Sequence, residues 1–245
     1  MAEIMGVDVG GSGIKAAIVD TDTGEFIKER KKLDTPRPSK PEAMALVVKE
    51  LATHFDWHGK IGVGFPTVVK NGICYTAANI HKSWIGANIE GVFGTATGCL
   101  VKALNDADAA GMAEMKFGAG KGIDNGVVLV LTLGTGIGSA IFVNGQLLPN
   151  LELGHLEMGG KDAEKQASAN VKETKKLSWK EWGKRVNDYL KMVENLIYPD
   201  LIILGGGVSS RYAKYQQFIN IRTRIVPAEL MNNAGIIGAA LAALE

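Results

Sequence analysis

The stretches GVDVGGSGIK at residues 6–15 and LTLGTGIGSA at 131–140 follow one plan: an apolar strand-like run, a glycine turn and a second apolar run. A chain that spells this unit twice, each time with helices and a further strand to follow, builds duplicated α/β lobes with mixed sheets. Glycines in each turn are expected to take positive φ, closing the hairpin tightly and leaving backbone N–H groups open to phosphate oxygens. Two such turns facing each other would form a cleft for phosphate.

The run Gly11-Ser12-Gly13-Ile14-Lys15-Ala16 also fits the degenerate GxGxxA pattern of dinucleotide-binding turns. A Rossmann turn, however, runs into a helix. Here IKAAIV at 14–19 is a β-branched run that ends in the turn signal DTDTG, so the glycines join two antiparallel strands. Asp8, just ahead of the glycines, is placed to hold a hydrated Mg²⁺ against the phosphates.

The 245 residues suffice for one large domain or two modest ones, and 46% hydrophobic with 22% charged residues is a globular balance. A net charge of +1 gives no global field for nucleic acid or an anionic membrane. Cys74 and Cys99 are the only cysteines and lack C-x-x-C spacing, which fits buried thiols in a reducing compartment. The first strand is expected by about residue 4, with no room for a signal peptide or an appended DNA-binding module, and no uncharged apolar run approaches the roughly 20 residues of a bilayer span. The expected setting is cytoplasmic, without nucleic-acid or membrane partners.

Strand-like segments at 3–9, 13–20 and 25–33 form a meander, and TPRPSKPEA at 35–43 opens an amphipathic helix to about 55. A strand at 60–66, a hairpin around NGIC, a helix near 88–96 and a strand at 99–104 follow. Residues 178–198 are the clearest helix: Ser178 and Glu181 make a capping box, and Trp179, Trp182, Val186, Tyr189, Leu190, Val193, Leu196 and Ile197 recur at helical spacing, which reads as a core stripe. DLIILGGGVSS at 200–210 reads as a buried strand, a triple glycine and then a helix with Ser209 or Ser210 near its start, where a third phosphate or nucleoside contact could lie. NNAGIIGAALAAL at 232–244 is a small-residue helix.

In LNDADAA at 104–110 a strand end delivers Asn105 and Asp106 together at a helix start. An Asp within reach of a hydroxyl can orient it and accept its proton during attack on phosphorus, and Asp106 is the choice for that base. Asn and Asp are also common helix caps, so a capping role weighs equally for this stretch, with Asp108 the preferred cap. Glu152 and His155 in LELGH, with Glu157 beyond, offer paired groups for a sugar's vicinal hydroxyls, whereas His54, His58 and His81 read as structural or exposed. No cysteine follows Cys99 and no histidine follows His155, so a zinc site here would need carboxylates alone; structural zinc is not expected. Lysines are dense from Lys161 to Arg185. They read either as a solvated helical face or as a track for a long polyanion, with Lys161, Lys172, Lys175 and Lys176 as its candidates.

With these residues in hand, the chain resembles the ROK sugar kinases of the hexokinase and actin-like superfamily, and within them the polyphosphate-using glucokinase branch. The likeness spans nearly the whole length through GVDVGGSGIK, VGFPTVV, TAANIHKSWIG, NDADAAG, LTLGTGIGSAIF, NLELGH, LSWKEW, PDLIILGGGVS and IVPAELMNNAGIIGAA. It implies a two-lobed actin-like, ribonuclease H-like α/β fold with mixed sheets and an interdomain cleft. The small lobe would be 1–104, with 230–245 packing back onto it, and the large lobe 105–229. The implied activity is Mg²⁺-dependent transfer of a terminal phosphoryl group from inorganic polyphosphate, and ATP, to the 6-hydroxyl of glucose, by a homodimer; the alternative is an ATP-only kinase for another hexose or amino sugar. A sugar-sensing regulator of the same group would add an amino-terminal helix-turn-helix.

By the same resemblance Asp106 is the base, and Asn79, Asn105, Glu152, His155 and Glu157 hold the sugar. Gly10, Gly11, Ser12, Gly13 and Lys15, with Thr132, Gly134, Thr135, Gly136 and Gly138, cradle the phosphates, and Gly205, Gly206 and Gly207 lie near the nucleoside. The chain departs from general members in lacking the cysteine cluster after the Gly-His pair. His81 stands where an acidic residue is expected and Leu151 where Thr is expected; either could tune sugar affinity.

Overall fold

The computed structural model describes residues 3–244. Along the chain run β1 (Glu3–Val9), β2 (Gly13–Asp20), β3 (Lys31–Asp34), α1 (Pro41–Phe55), β4 (Ile61–Phe65), the short hairpin β5 (Val69–Lys70) and β6 (Ile73–Cys74), α2 (Ile89–Thr97), β7 (Val101–Asn105) and α3 (Asp106–Phe117). They are followed by β8 (Val127–Leu133), β9 (Ile137–Val143), β10 (Gln146–Leu148), the hairpin β11 (Glu157–Met158) and β12 (Lys161–Asp162), α4 (Glu164–Ala167), α5 (Ala169–Thr174), α6 (Trp179–Ile197), β13 (Leu201–Gly205), β14 (Arg224–Pro227) and α7 (Ala234–Ala242). The chain forms two compact units, the first made of residues 1–113 and 233–245 and the second of 114–232, so the chain passes from one to the other inside α3.

The repeat seen in the sequence is a repeat of topology. In the first unit the sheet order is β3-β2-β1-β4-β7, with β1 to β3 antiparallel and β1, β4 and β7 parallel. In the second it is β10-β9-β8-β13-β14, with the same alternation of directions.

In the first unit, alternate residues of β1 face opposite ways. Met5, Val7 and Val9 join the core with Met44, Val48 and Leu51 of α1 and Phe93 of α2. Gly6, on the other face, meets α7: a Cβ there would run into the Ile236 carbonyl, one at Gly62 of β4 into the Ala239 carbonyl, and one at Gly238 of α7 into the Ala109 carbonyl of α3. Close approach of backbone to backbone is what these glycines supply. In return, the alanines and isoleucines of α7 are buried almost all round.

The core of the second unit is the α6 stripe. Trp182, Val186, Tyr189, Leu190 and Val193 are buried against Leu129, Leu131, Ile202 and Leu204, each such side chain contributing roughly 1.5–3 kcal/mol. Ser178 and Glu181 form the predicted capping box, with the Ser178 N–H donating to Glu181 Oε2 at 2.9 Å. Leu196, in the last turn of α6, departs from the stripe: it is 65% exposed.

Two further expectations are corrected. The third strand begins at Lys31, not 25, since residues 20–25 close a tight turn (Gly24 N–H to Asp20 O, 2.8 Å; Asp20 N–H to Glu25 O, 2.9 Å) and only Phe26 bridges back to Val19. The segment after the triple glycine is a 3-10 turn over Ser209–Lys214 broken at Arg211, because it lacks an apolar helical period and the Ser209 and Ser210 hydroxyls bond back to the Gly206 and Gly207 carbonyls (2.8 and 3.3 Å). No helix among the described residues is long and apolar enough to cross a membrane.

Candidate active site

In the first unit the site residues gather at the carboxyl ends of the parallel strands, where open α/β sheets offer their binding groups. Asp8 of β1 pairs in register with Gly64 of β4, and Gly64 with Leu104 of β7, so Asp8, Asn105 and Asp106 sit along one sheet edge. Across the hairpin Asp8 pairs with Lys15, whose ammonium lies 3.0 Å from Asp8 Oδ2. Gly235, in the first turn of α7, leaves space for that carboxylate: a Cβ there would stand 3.0 Å from Asp8 Cγ. The Asp8 carboxylate thus lies between the Lys15 ammonium and the first turn of α7.

The turn between β1 and β2 closes through Gly10 N–H to Gly13 O at 3.0 Å and is braced by the Thr35 hydroxyl, which donates to Gly10 O at 2.6 Å. The expected positive φ is not found at Gly10, Gly11 or Gly13, nor at Gly134, Gly136 or Gly138. What glycine supplies in these turns is missing bulk. A Cβ at Gly13 would strike the Lys32 side chain and one at Gly136 the Glu164 carboxylate, while Gly11 and Gly134 have no neighbour within 4 Å and open onto free space. Exposed Ser12 and Thr135 complete the tips.

Asn105, 6% exposed, is the cap of α3: its Oδ1 accepts from the Ala107 and Asp108 N–H groups at 2.8 and 3.1 Å. This corrects the choice of Asp108, which already lies within the first turn and donates one of those bonds. The Asn105 carboxamide also donates to Thr67 O at 3.0 Å, which leaves one N–H of its inventory for a ligand. Asp106 is half-buried, and its Oδ1 accepts from the Ala107 N–H at 2.9 Å. Asn79 lies on an exposed loop. His81 is a structural cap, its Nδ1 accepting from the Ser83 N–H at 3.2 Å, with the Ser83 hydroxyl at 2.8 Å.

In the second unit, β8 and β9 present the matching turn, closed by Gly134 N–H to Gly136 O at 3.0 Å. It is held from the segment beyond the Gly-His pair: Asn170 N–H donates to Gly134 O at 3.0 Å, and Glu164 Oε2 accepts from Ile137 N–H at 3.4 Å. Thr132 pairs in register with Gly205, and the Gly206 backbone, at φ +84°, packs onto Leu133. Gly207 has no neighbour within 4 Å.

Glu152 and His155 ride on the short turn after Leu151, which Ser139 clamps: its hydroxyl donates to Leu151 O (2.6 Å) and accepts from Leu153 N–H (3.0 Å). Burial pushes the Glu152 carboxyl above the usual carboxylate range, with His155 pulling it down and Glu164 adding to the rise. His155 lies 3.9 Å from Glu152 and 3.7 Å from Asp162, close enough for charge coupling but beyond hydrogen bonding. Glu157 is exposed and pairs across the β11–β12 hairpin with Asp162.

Sequence reasoning passed over Asp162 and Glu164. With His155 they bring three potential metal-ligand atoms within 4.8 Å of one another, the carboxylate company a cation at His155 would need. Asp162 is meanwhile paired with Lys165 at 2.8 Å, which lowers its pKa, through that hydrogen bond first, and takes Lys165 out of the lysine run. Of the track candidates, Lys161, Lys175 and Lys176 are exposed, and Lys172 lies over the Trp179 ring, 4.1 Å from its centroid.

Two α/β units of one topology, each with a strand–glycine–strand turn, and a carboxylate at a strand end define the actin-like sugar-kinase class. The family model described as "ROK family" matches residues 4–169, and the chain belongs to the ROK family. It is 51% identical over 98% of its length to the polyphosphate glucokinase of Mycobacterium tuberculosis, covering 90% of that protein, and 47% identical over 97% to that of Mycobacterium leprae, covering 73%. The crystal structure of the inorganic polyphosphate/ATP-glucomannokinase from Arthrobacter sp. strain KM superposes with a TM-score of 0.93 at 46% identity, covering 100% of this chain and 99% of that one.

Proposed function

We propose that this chain is a glucokinase that transfers the terminal phosphoryl group of inorganic polyphosphate, and of ATP, to the 6-hydroxyl of glucose. The observation that carries the proposal is the sheet edge of the first unit, where an acid at the end of β7 and an Asp–Lys pair beside a bulk-free turn share one row of strand ends. Names of close relatives support the same substrates.

Asp106 accepts the proton of the attacking hydroxyl, and Asn105, fixed by its capping bonds, spends its remaining N–H on the sugar. Asn79, Glu152, His155 and Glu157 supply further sugar contacts, the Glu152–His155 pair offering an acceptor and a donor to neighbouring hydroxyls. Backbone N–H groups of the two turns, with Ser12, Lys15, Thr132 and Thr135, take the phosphates. The Gly205–Gly207 turn serves the nucleoside when ATP is the donor. Asp8 fits a hydrated Mg²⁺: it is a hard oxygen donor, with Oδ2 engaged by Lys15. Bound there, Mg²⁺ would neutralise charge developing on the phosphates.

A coupled assay for glucose 6-phosphate, run separately with ATP and with long-chain polyphosphate, tests the proposal. Product with both donors is expected; product with ATP alone returns the chain to an ATP-only kinase, and product with neither overturns the proposal.

A further inference from the structure

Trp179, expected to be core, is only partly buried, and two lysines share its indole. Lys172 of α5 lies 4.1 Å from the ring centroid, and Lys214, from the 3-10 turn after the triple glycine, lies 5.8 Å from it. We propose that this Lys172–Trp179–Lys214 clasp is a donor subsite that takes the distal phosphates of an inorganic polyphosphate chain. The proposal rests on the phosphoryl-transfer function above.

The clasp is rigid. Tyr215 stacks on Trp179 (centroids 5.9 Å apart, rings 13° from parallel), and Trp182 meets both rings edge-on while its Nε1–H donates to the Ala167 and Ser168 carbonyls at 3.0 Å. With Tyr215 on the indole and an ammonium over it, Trp179 presents held cations and not a free face for an adenine.

Both lysines come from segments anchored to the second phosphate turn. Lys172 stands two residues beyond Asn170, which bonds to Gly134 O, and Lys214 follows the turn whose Gly206 packs onto Leu133. Held by one ring, the two ammonium groups are no more than about 10 Å apart, and neither has a carboxylate within 4.0 Å among the described residues. Uncompensated like charges fixed on a rigid platform repel each other, and an extended polyanion lying across both relieves that repulsion. A triphosphate whose phosphates fill the glycine turns has none left for the clasp, so the subsite should discriminate donors by chain length. Lys214 was not among the lysines singled out in the sequence, because it lies outside the 161–185 run.

The test compares full-length wild type with Lys172→Gln/Lys214→Gln, the exposed single change Lys214→Gln, Trp179→Leu and Trp179→Phe, by initial rates with ATP and with long-chain polyphosphate. For the double variant the expected result is a tenfold or larger rise in KM for long-chain polyphosphate with less than a twofold change for ATP. The slope of log KM against log salt should flatten by roughly 1.4, two charges at the value for a flexible single strand. Trp179→Leu moves the same way, and Trp179→Phe, which keeps an aromatic face, stays near wild type. An unchanged polyphosphate KM in both lysine variants, or equal losses with the two donors, overturns the subsite while leaving the glucokinase function intact. A wild type that uses ATP but not polyphosphate overturns the polyphosphate function and the subsite with it.

Discussion

The turn after β1 and the turn after β8 occupy the same place in two sheets of the same order, yet they are held by different chemistry. The first is braced by a neutral hydroxyl, Thr35, and flanked by the Asp8–Lys15 ion pair within its own strands. The second has threonine at the position before its glycines and is held from outside, by Asn170 and Glu164 of the segment that follows the Gly-His pair. The sheets diverge too: β1 and β4 carry Gly6 and Gly62 to admit α7, while β8 and β13 are near-continuous branched aliphatics. On the proposed function, one shared topology carries the catalytic base and the metal-holding carboxylate in the first unit and the contacts to the distal phosphates of the donor in the second.

The sharpest way to break this contrast is a pair of isosteric changes. Asp106→Asn in the first unit should lower kcat about 10³-fold, ~4 kcal/mol of transition-state stabilisation, while glucose still binds by calorimetry. Glu164→Gln in the second unit should cost less than about tenfold in kcat with ATP. Equal losses would erase the division of labour.

Next in size, Gly62→Ala pushes a methyl group into the α7 backbone and should destabilise the protein by about 3 kcal/mol, a fall of about 10 °C in Tm. Gly13→Ala meets chiefly the far end of the Lys32 side chain, with the Leu33 carbonyl oxygen at 3.3 Å, and should cost less than about 1 kcal/mol by the same melt. Smaller still, Gly11→Ala and Gly134→Ala enter open space, so stability should hold within about 0.5 kcal/mol. KM for the donor should nevertheless rise about tenfold, ~1.4 kcal/mol, as the methyl group fills the ligand's place. If only one of the two responds, the turns do not both serve the donor.

Smallest is the effect of Glu152→Gln on stability. Burial raises the folded-state pKa of Glu152, so its favourable contribution is complete below the unfolded-state pKa and is lost as pH rises through the folded value. The amide should therefore raise Tm slightly at pH 7 and leave it unchanged near pH 4, while weakening glucose binding at neutral pH. A melt showing the gain at acid pH would reverse the assigned sign.

Much of this was legible in the sequence because it is local. The strand–glycine–strand units, the Ser178–Glu181 box and the apolar period of α6 depend on neighbours a few residues apart. What escaped depends on long-range placement. The turn glycines were credited with positive φ, but their value lies in distant side chains and open space, which no turn pattern encodes. Asn105 as the cap of α3 was one of three candidates, with Asp108 preferred over it, until the helix start was located. Asp162 and Glu164 reach His155 only through a hairpin of two-residue strands, and Lys214 reaches Lys172 only through Trp179.

The assignment of α7 to the first unit has a consequence for how the polypeptide is made. Residues 3–105, which leave the ribosome early, build a sheet with one bare face at Gly6 and Gly62, and that face stays wet until residues 234–242 have been translated. The second unit needs nothing beyond β14 to complete its own sheet. The unit that comes first in the sequence is therefore completed last, and a released chain truncated between β14 and α7 should present one protease-resistant body and one that is readily cut.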